Sequence, residues 1–278
     1  LQMTPAQYSY QFIKVVDWGS AVFNVQLDRP KQLNALHTGI WREISDVFRR
    51  LDSDEDCRVV VLTGNGRAFC TGIDLNALAN LLPPIDDVAR RARGILRELT
   101  WMQEAFTLIE KCSKPVIAAV HNYCIGAGLD MLTACDIRVC TSDAQFCVKE
   151  AAVAMAADVG TLNRLPKIIG NHSWMRDICF SARVFGADEA LKQGLVSDVY
   201  KTQGDMLIAV KKQAEVMAAH SPVGVQGTKI VLNYARDFPV DQSLRYVALW
   251  NISQLQTEDV PNAAAAIMTK SKPTYSKL

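Results

Sequence analysis

The chain has 278 residues, 49% hydrophobic and 21% charged, a composition that excludes a fibre, a tail or a disordered linker and gives ample apolar material for a core. Thirty basic against twenty-nine acidic side chains leave a formal net charge of +1, without the basic excess of a nucleic-acid binder. No apolar run reaches the roughly 18 residues of a membrane-spanning helix, and the longest weakly polar stretch, Pro115 to Leu129, is interrupted by His121 and Asn122.

Leu1 to Pro5 carry neither a basic n-region nor an apolar h-region, so no secretory signal is expected there. Phe12–Val16 and Val22–Leu27 are short β-rich runs around Asp17-Trp18-Gly19-Ser20, the pattern of a hairpin. Arg29-Pro30 stops the second run. From Asn34 to Leu51, Ile40, Ile44, Val47 and Leu51 recur at helical spacing. Val59–Leu62 is continuously apolar, as a strand covered on both faces would be, and a Gly-rich loop follows at Thr63–Gly66. Asp86 to Lys111 is helical material rich in Arg and Leu. Val116–Val120 is a second buried strand, followed by another Gly loop and a helix, and Asp136–Cys140 is a third. This alternation predicts an α/β fold with largely parallel strands. From Lys201 onward the chain is helix-patterned, with Ser221-Pro222 as N-cap and first helical residue. The organisation expected is a core over residues 1–200 and a helical region over 201–278 suited to assembly or to covering a site.

Eight cysteines (57, 70, 112, 124, 135, 140, 147, 179) form no Cys-x-x-Cys pair and sit in apolar strings, which reads as buried thiols in a reducing compartment. The four histidines (37, 121, 172, 220) show no ligand spacing, so no metal is expected. Ser276-Lys277-Leu278 matches the peroxisomal address read by an import receptor at a free carboxyl terminus, so a peroxisomal location is expected. Gly64-Asn65-Gly66 and Gly126-Ala127-Gly128 lack the third glycine of a dinucleotide fingerprint, and there is no Walker loop or Gly-x-Ser-x-Gly elbow.

Two passages echo each other. Val59 to Leu75 and Val116 to Met131 each run from a buried strand through a Gly loop, into Gly72-Ile73-Asp74-Leu75 and Gly128-Leu129-Asp130-Met131. Each reads as a tight turn before a helix start, where backbone N–H groups lack intrahelical partners. Two such ends facing one point would hold an anion; two unrelated β-to-α turns would look the same. Three acids lie in apolar company: Asp130 in Gly-Leu-Asp-Met-Leu, Glu150 before Ala-Ala-Val-Ala-Met-Ala-Ala, and Asp158 after that run. Burial raises a carboxyl pKa and suits it to proton transfer near neutral pH. The plainer reading, in which Asp130 and Asp158 cap helix N-termini, stays open at this level.

Taken in order, these segments resemble the crotonase (enoyl-CoA hydratase/isomerase) superfamily from about Val22 to Val199. The motifs are Leu27–Pro30 with Asn34–Leu36, Val61–Gly64 with Ala68–Leu75, Lys114–Val120, Gly126-Ala127-Gly128, Ala134–Arg138, Gly160–Pro166 and Ala187–Ala190 leading to Gly194–Val196. The resemblance implies a crotonase-like ββα spiral core with a C-terminal helical segment. It also implies a fatty acyl-CoA thioester as substrate, with coenzyme A part of the substrate and no separate cofactor. Homotrimers or a dimer of trimers, a homohexamer, would follow from it too.

The resemblance places an oxyanion hole at the N–H groups of Ile73 and Ala127, within a substrate-binding set of Gly72, Ile73, Asp74, Leu75, Asn76, Ala127 and Gly128. Many relatives have glycine where Ala127 stands. Two N–H donors aimed at the thioester oxygen stabilise the enolate left when a proton leaves C2, each by roughly 3 kcal/mol as in other oxyanion holes. Hydratases of the superfamily usually carry Glu at the positions of Asp130 and Glu150. Here the first acid is shorter by one methylene, about 1.5 Å.

The trio Asp130, Glu150 and Asp158 resembles the dienoyl-CoA isomerase branch, which also occurs in mitochondria. In that branch, acids would carry a proton between C2 and C6 through a dienolate. Glu150 is expected near C2, Asp158 near C6, and Asp130 as the group tuning both. Hydratase or Δ3,Δ2-enoyl-CoA isomerase activity, and a non-catalytic acyl-CoA-binding scaffold, are the competing readings.

Overall fold

The apolar runs fold into strands where the pattern places them. In a computed structural model describing residues 8–74, 76–77 and 84–278, the strands are β1 (Ile13–Asp17), β2 (Val22–Leu27), β3 (Val59–Gly64), β4 (Val116–Val120), β5 (Tyr123–Ile125), β6 (Ile137–Thr141), β7 (Gln145–Cys147), β8 (Phe185–Gly186) and β9 (Asp198–Tyr200). Leu75, one of the expected binding residues, lies outside the described residues, as do Leu1–Pro5. β1 and β2 are antiparallel around a turn in which Asp17 Oδ1 accepts the Gly19 N–H at 2.7 Å. The main sheet runs β1-β2-β3-β4-β6-β9, and within it every pairing from β2 onward is parallel.

Both faces of that sheet are covered, and the period of two in each strand divides them. Val60 and Leu62 of β3, with Val116, Ala118 and Val120 of β4, face the larger core. That core is covered by α1 (Thr38–Ser53) and α2 (Val88–Lys111), whose Trp41 and Phe106 rings lie 4.4 Å apart. Val59, Val61, Ile117 and Ala119 face the other way, against the helix α7 (Gln203–Ala218).

Helix α1 starts at Thr38, four residues later than the Asn34 start expected from periodicity. Leu33 (φ 50°) and Asn34 (φ 57°) are left-handed, which an α-helix cannot include. The Asn34 amide ties segments together instead: its Oδ1 accepts from Arg29 N (2.9 Å) and its Nδ2 donates to Asn65 O (3.0 Å) and Ala68 O (2.8 Å). The helix then begins with His37 Nδ1 accepting the Gly39 N–H at 2.8 Å.

The remaining helices are α3 (Ala127–Thr133), α4 (Thr161–Ile168), α5 (His172–Ser181), α6 (Ala187–Lys192), α7 (Gln203–Ala218), α8 (Pro222–Asp237), α9 (Val240–Gln254) and α10 (Asp259–Thr269). Met206, Val210, Ala214 and Ala218 of α7 pack on the second face of the sheet, so the helical region read from residue 201 begins inside the core. Helix α8 is pinned by Lys229, whose Nζ reaches Lys114 O (3.0 Å) and Asp136 Oδ2 (2.7 Å). Helix α9 buries no residue within one chain. No helix among the described residues is long and apolar enough to cross a membrane.

A second, small sheet has the order β5-β7-β8. Strands of two or three residues carry too little alternation to be read from sequence, and these were not expected. They matter because the segments after β5 and β7 hold the candidate site.

Candidate active site

The two Gly loops meet back to back. Cys70 pairs with Cys124 in an isolated parallel bridge, Cys70 N donating to Tyr123 O and Ile125 N to Cys70 O, both at 3.0 Å. Gly72 follows at φ +91°, and a Cβ there would lie 2.9 Å from Ile125 O and 3.5 Å from Ala127 N. Only glycine permits both that dihedral and that approach. Gly128 is tight for a different reason: a Cβ on it would meet Cys70 O at 2.8 Å.

Ile73 lies in an isolated β-bridge, and helical residues follow at 76 and 77, so the first Gly loop does lead toward a helix start as the sequence predicts. Ile73 bridges Leu36 in parallel through its neighbours, Leu36 N donating to Gly72 O (2.7 Å) and Asp74 N to Leu36 O (2.8 Å). That pattern turns the Ile73 N–H to the opposite side. Ala127 is the first residue of α3, so its N–H lies outside the intrahelical ladder. Among the described residues neither N–H has a hydrogen-bond partner. Asp74 anchors the first loop: its Oδ1 accepts from Asn76 N (3.0 Å) and its Oδ2 pairs with Arg29 (3.3 Å). These contacts, the Asn76 N–H first, hold its carboxyl below the usual carboxylate range. Asn76 itself is exposed.

The three acids converge from three elements. Asp130, on α3, is fully buried; its Oδ1 accepts the Thr161 N–H at 2.5 Å and its Oδ2 has no partner among the described residues. Burial raises its pKa to about 6 against the lowering effect of Thr161, with Asp158 adding to the rise. Glu150 opens a 3-10 turn three residues after Cys147, the last residue of β7, and its Oε2 is likewise buried without a partner among the described residues. Burial and the nearby charge of Asp130 push it to about 7, with a smaller contribution from Asp158. Asp158 is partly buried, which raises its pKa, and its main-chain oxygen accepts from Gln103 Nε2 at 2.7 Å.

The acids also reach the second Gly loop. Gly126 N donates to Cys147 O at 2.9 Å, and a Cβ on Gly126 (φ +52°) would stand 3.2 Å from Glu150 Oε1. Glu150 thus lies against the residue immediately before Ala127. The capping alternative holds only across elements: Asp130 bonds the first N–H of α4 rather than its own helix, and α4 has no side-chain cap.

At the other end of the molecule, Arg58 Nη2 donates to Tyr275 O (2.7 Å) and Ser276 O (3.1 Å), Lys277 pairs with Asp56, and Leu278 is exposed. All eight cysteines are free, and all but Cys179 are buried. The Thr161 N–H and the Arg164, Glu110 and Gln103 side chains were not singled out from sequence. A main-chain donor leaves no mark there, and a polar stripe at helical spacing on α2 reads as a solvated face.

A family model described as enoyl-CoA hydratase/isomerase matches residues 17–277. The chain is 49% identical over 278 residues to the mitochondrial Delta(3,5)-Delta(2,4)-dienoyl-CoA isomerase of Rattus norvegicus, covering 98% of this chain and 85% of that protein. It is 41% identical over 275 residues to the peroxisomal Delta(3,5)-Delta(2,4)-dienoyl-CoA isomerase of Arabidopsis thaliana, covering 97% and 99%. An enoyl-CoA hydratase structure from Bacillus anthracis shares the fold with a TM-score of 0.87 at 25% identity, over 96% of this chain and 99% of that one. With a match across nearly its whole length, the chain belongs to the enoyl-CoA hydratase/isomerase family.

Proposed function

We propose that this protein is a Δ3,5-Δ2,4-dienoyl-CoA isomerase acting on unsaturated fatty acyl-CoA thioesters. The observation that carries the chemistry is the contact of Glu150 Oε1 with the Gly126 position, beside the Ala127 N–H. An acyl oxygen bound by the Ile73 and Ala127 amides would bring C2 toward that carboxylate, and Glu150 removes a C2 proton as the amides take up the enolate charge. The charge spreads along the 3,5-diene to C6. Asp158 returns a proton there, leaving double bonds at C2 and C4. Asp130, raised like its neighbours, couples to both acids, so the trio titrates as a unit and holds protonated and ionised carboxyls together near neutral pH.

The reaction moves one proton and two double bonds within the substrate and transfers no electrons, so it requires no cofactor. The exposed Leu244, Leu249, Ile252 and Leu255 of the α9 region support assembly with further copies, as trimers or pairs of trimers. A peroxisomal or mitochondrial setting agrees with the names of the relatives. The test is purified protein with a 3,5-dienoyl-CoA. The ultraviolet absorbance of the extended 2,4-diene should rise, and hydration of a 2-enoyl-CoA should be slow. Fast hydration with no diene signal would assign a hydratase instead.

A further inference from the structure

Behind the acids, one stripe of α2 grips the segment that carries Asp158. Gln103, Thr107 and Glu110 fall on the same face of the helix at i, i+4 and i+7. Gln103 Nε2 donates to Asp158 O at 2.7 Å. Thr107 Oγ1 accepts from Arg164 Nη2 at 3.0 Å, and Glu110 Oε2 accepts from Arg164 Nε (3.0 Å) and Nη2 (2.9 Å). Arg164 and Glu110 are nearly buried, at 12% and 13% side-chain exposure. The Nε–Nη2 edge of the guanidinium is therefore fixed on α2. Its Nη1 lies over Gly160, where a Cβ would be 2.0 Å away. Gly160 sits at φ +145° between Asp158 and the Thr161 N–H that binds Asp130.

We propose that Arg164, anchored by Glu110 and Thr107, is a positioning residue for the isomerisation: it fixes the Asp158–Thr161 turn and holds Asp130 as the anion, so that the proton in play sits on Glu150 or Asp158. The proposal rests on the function inferred above. A positive charge at the start of α4 adds to the favourable potential of that helix end. Among the described residues, the charged and titratable groups that act on or feel Asp130 include Glu150, Asp158, Arg164 and the Cys124 thiol, and of these Arg164 is the cation. Around Arg164 lie Glu110, then Arg236, which pairs with both Glu110 and Asp237, and Lys167, 3.5 Å from Asp237. A cation that keeps Asp130 ionised also keeps Glu150 basic, since the Asp130 charge adds to burial in opposing ionisation of Glu150.

The test uses the full chain as wild type, Arg164→Met, Arg164→Lys and Arg236→Gln. Carboxyl titrations are followed by carbon NMR on protein labelled at Asp and Glu, with Asp130→Asn used to assign the Asp130 signal. Turnover of a 3,5-dienoyl-CoA is measured against pH. In Arg164→Met the Asp130 carboxyl should titrate about one pH unit higher. Its kcat should fall about ten-fold or more while KM stays within about two-fold. Arg164→Lys should keep the wild-type titration and recover part of kcat, and Arg236→Gln should leave the titration in place. An unmoved Asp130 titration in Arg164→Met, or a kcat loss that only follows loss of folded protein, overturns the proposal. If Arg164→Met does not fold, the Lys variant decides: an Asp130 titration displaced upward by about one pH unit although the charge is kept overturns it. A wild type inert toward the dienoyl-CoA would sink the function reading, while the titration would still judge Arg164.

Discussion

Asp130 and Thr161, 31 positions apart in sequence, share one hydrogen bond that divides a carboxylate into two halves. Oδ1 accepts the Thr161 N–H at the start of α4, whereas Oδ2 is buried with no partner among the described residues. A buried acceptor left unsatisfied destabilises a fold by about 1–3 kcal/mol, which makes such an atom a mark of function rather than of packing.

This relationship separates two roles that one substitution can test. Asp130→Asn keeps an oxygen for the Thr161 N–H, so the protein should fold with a Tm within a few degrees of wild type, read by thermal melting. Its kcat should fall by about 10²–10³. The Glu150 carboxyl should titrate lower, because the Asp130 charge is one cause of its elevation. Wild-type turnover in this variant would confine Asp130 to structure.

Gly126 gives a steric test of the contact between acid and amide loop. Alanine there must adopt φ +52° and would crowd Glu150 Oε1 at 3.2 Å. Gly126→Ala should lose about 1–2 kcal/mol of stability from backbone strain. Its kcat should fall by more than the folded fraction explains, which chemical denaturation and single-turnover assays on the same sample would separate.

The elevated pKa of Glu150 predicts a pH-dependent stability with a definite sign. Its folded-state value of about 7 stands above the ordinary 4.5, so between those limits the native chain holds a proton that the unfolded chain has released. Stability from this group is complete below about pH 4.5 and is lost as pH rises through about 7. Glu150→Gln should therefore gain on the order of 3 kcal/mol over wild type at about pH 8 and little at about pH 4. Urea denaturation at the two pH values measures this, and an equal effect at both would contradict it.

Much of the main sheet is legible in the sequence because β3 and β4 are buried on both faces and read as unbroken apolar runs. The acids were legible for a related reason, since Asp130, Glu150 and Asp158 interrupt strings of Ala, Val, Leu and Met. What stayed hidden depends on the backbone. The left-handed Leu33 and Asn34 delay α1 without altering its periodicity. The β-bridge of Ile73 to Leu36 turns an amide with no side-chain signal. Strands β5, β7 and β8 are two or three residues long, yet they align Gly126 with Cys147 and so bring Glu150 to the amide loop. The Arg164–Glu110 pair joins residues on separate helices whose sequence patterns are those of solvated faces.

Isomerisation carried out in deuterium oxide, with the label located in the product by NMR, tests the proton transfer most directly. Deuterium at C6 of the 2,4-dienoyl-CoA is expected, with incorporation abolished together with turnover in Asp158→Asn and in Glu150→Gln. A product formed at full rate by either variant, or a hydroxyl at C3 in place of shifted double bonds, would contradict the account.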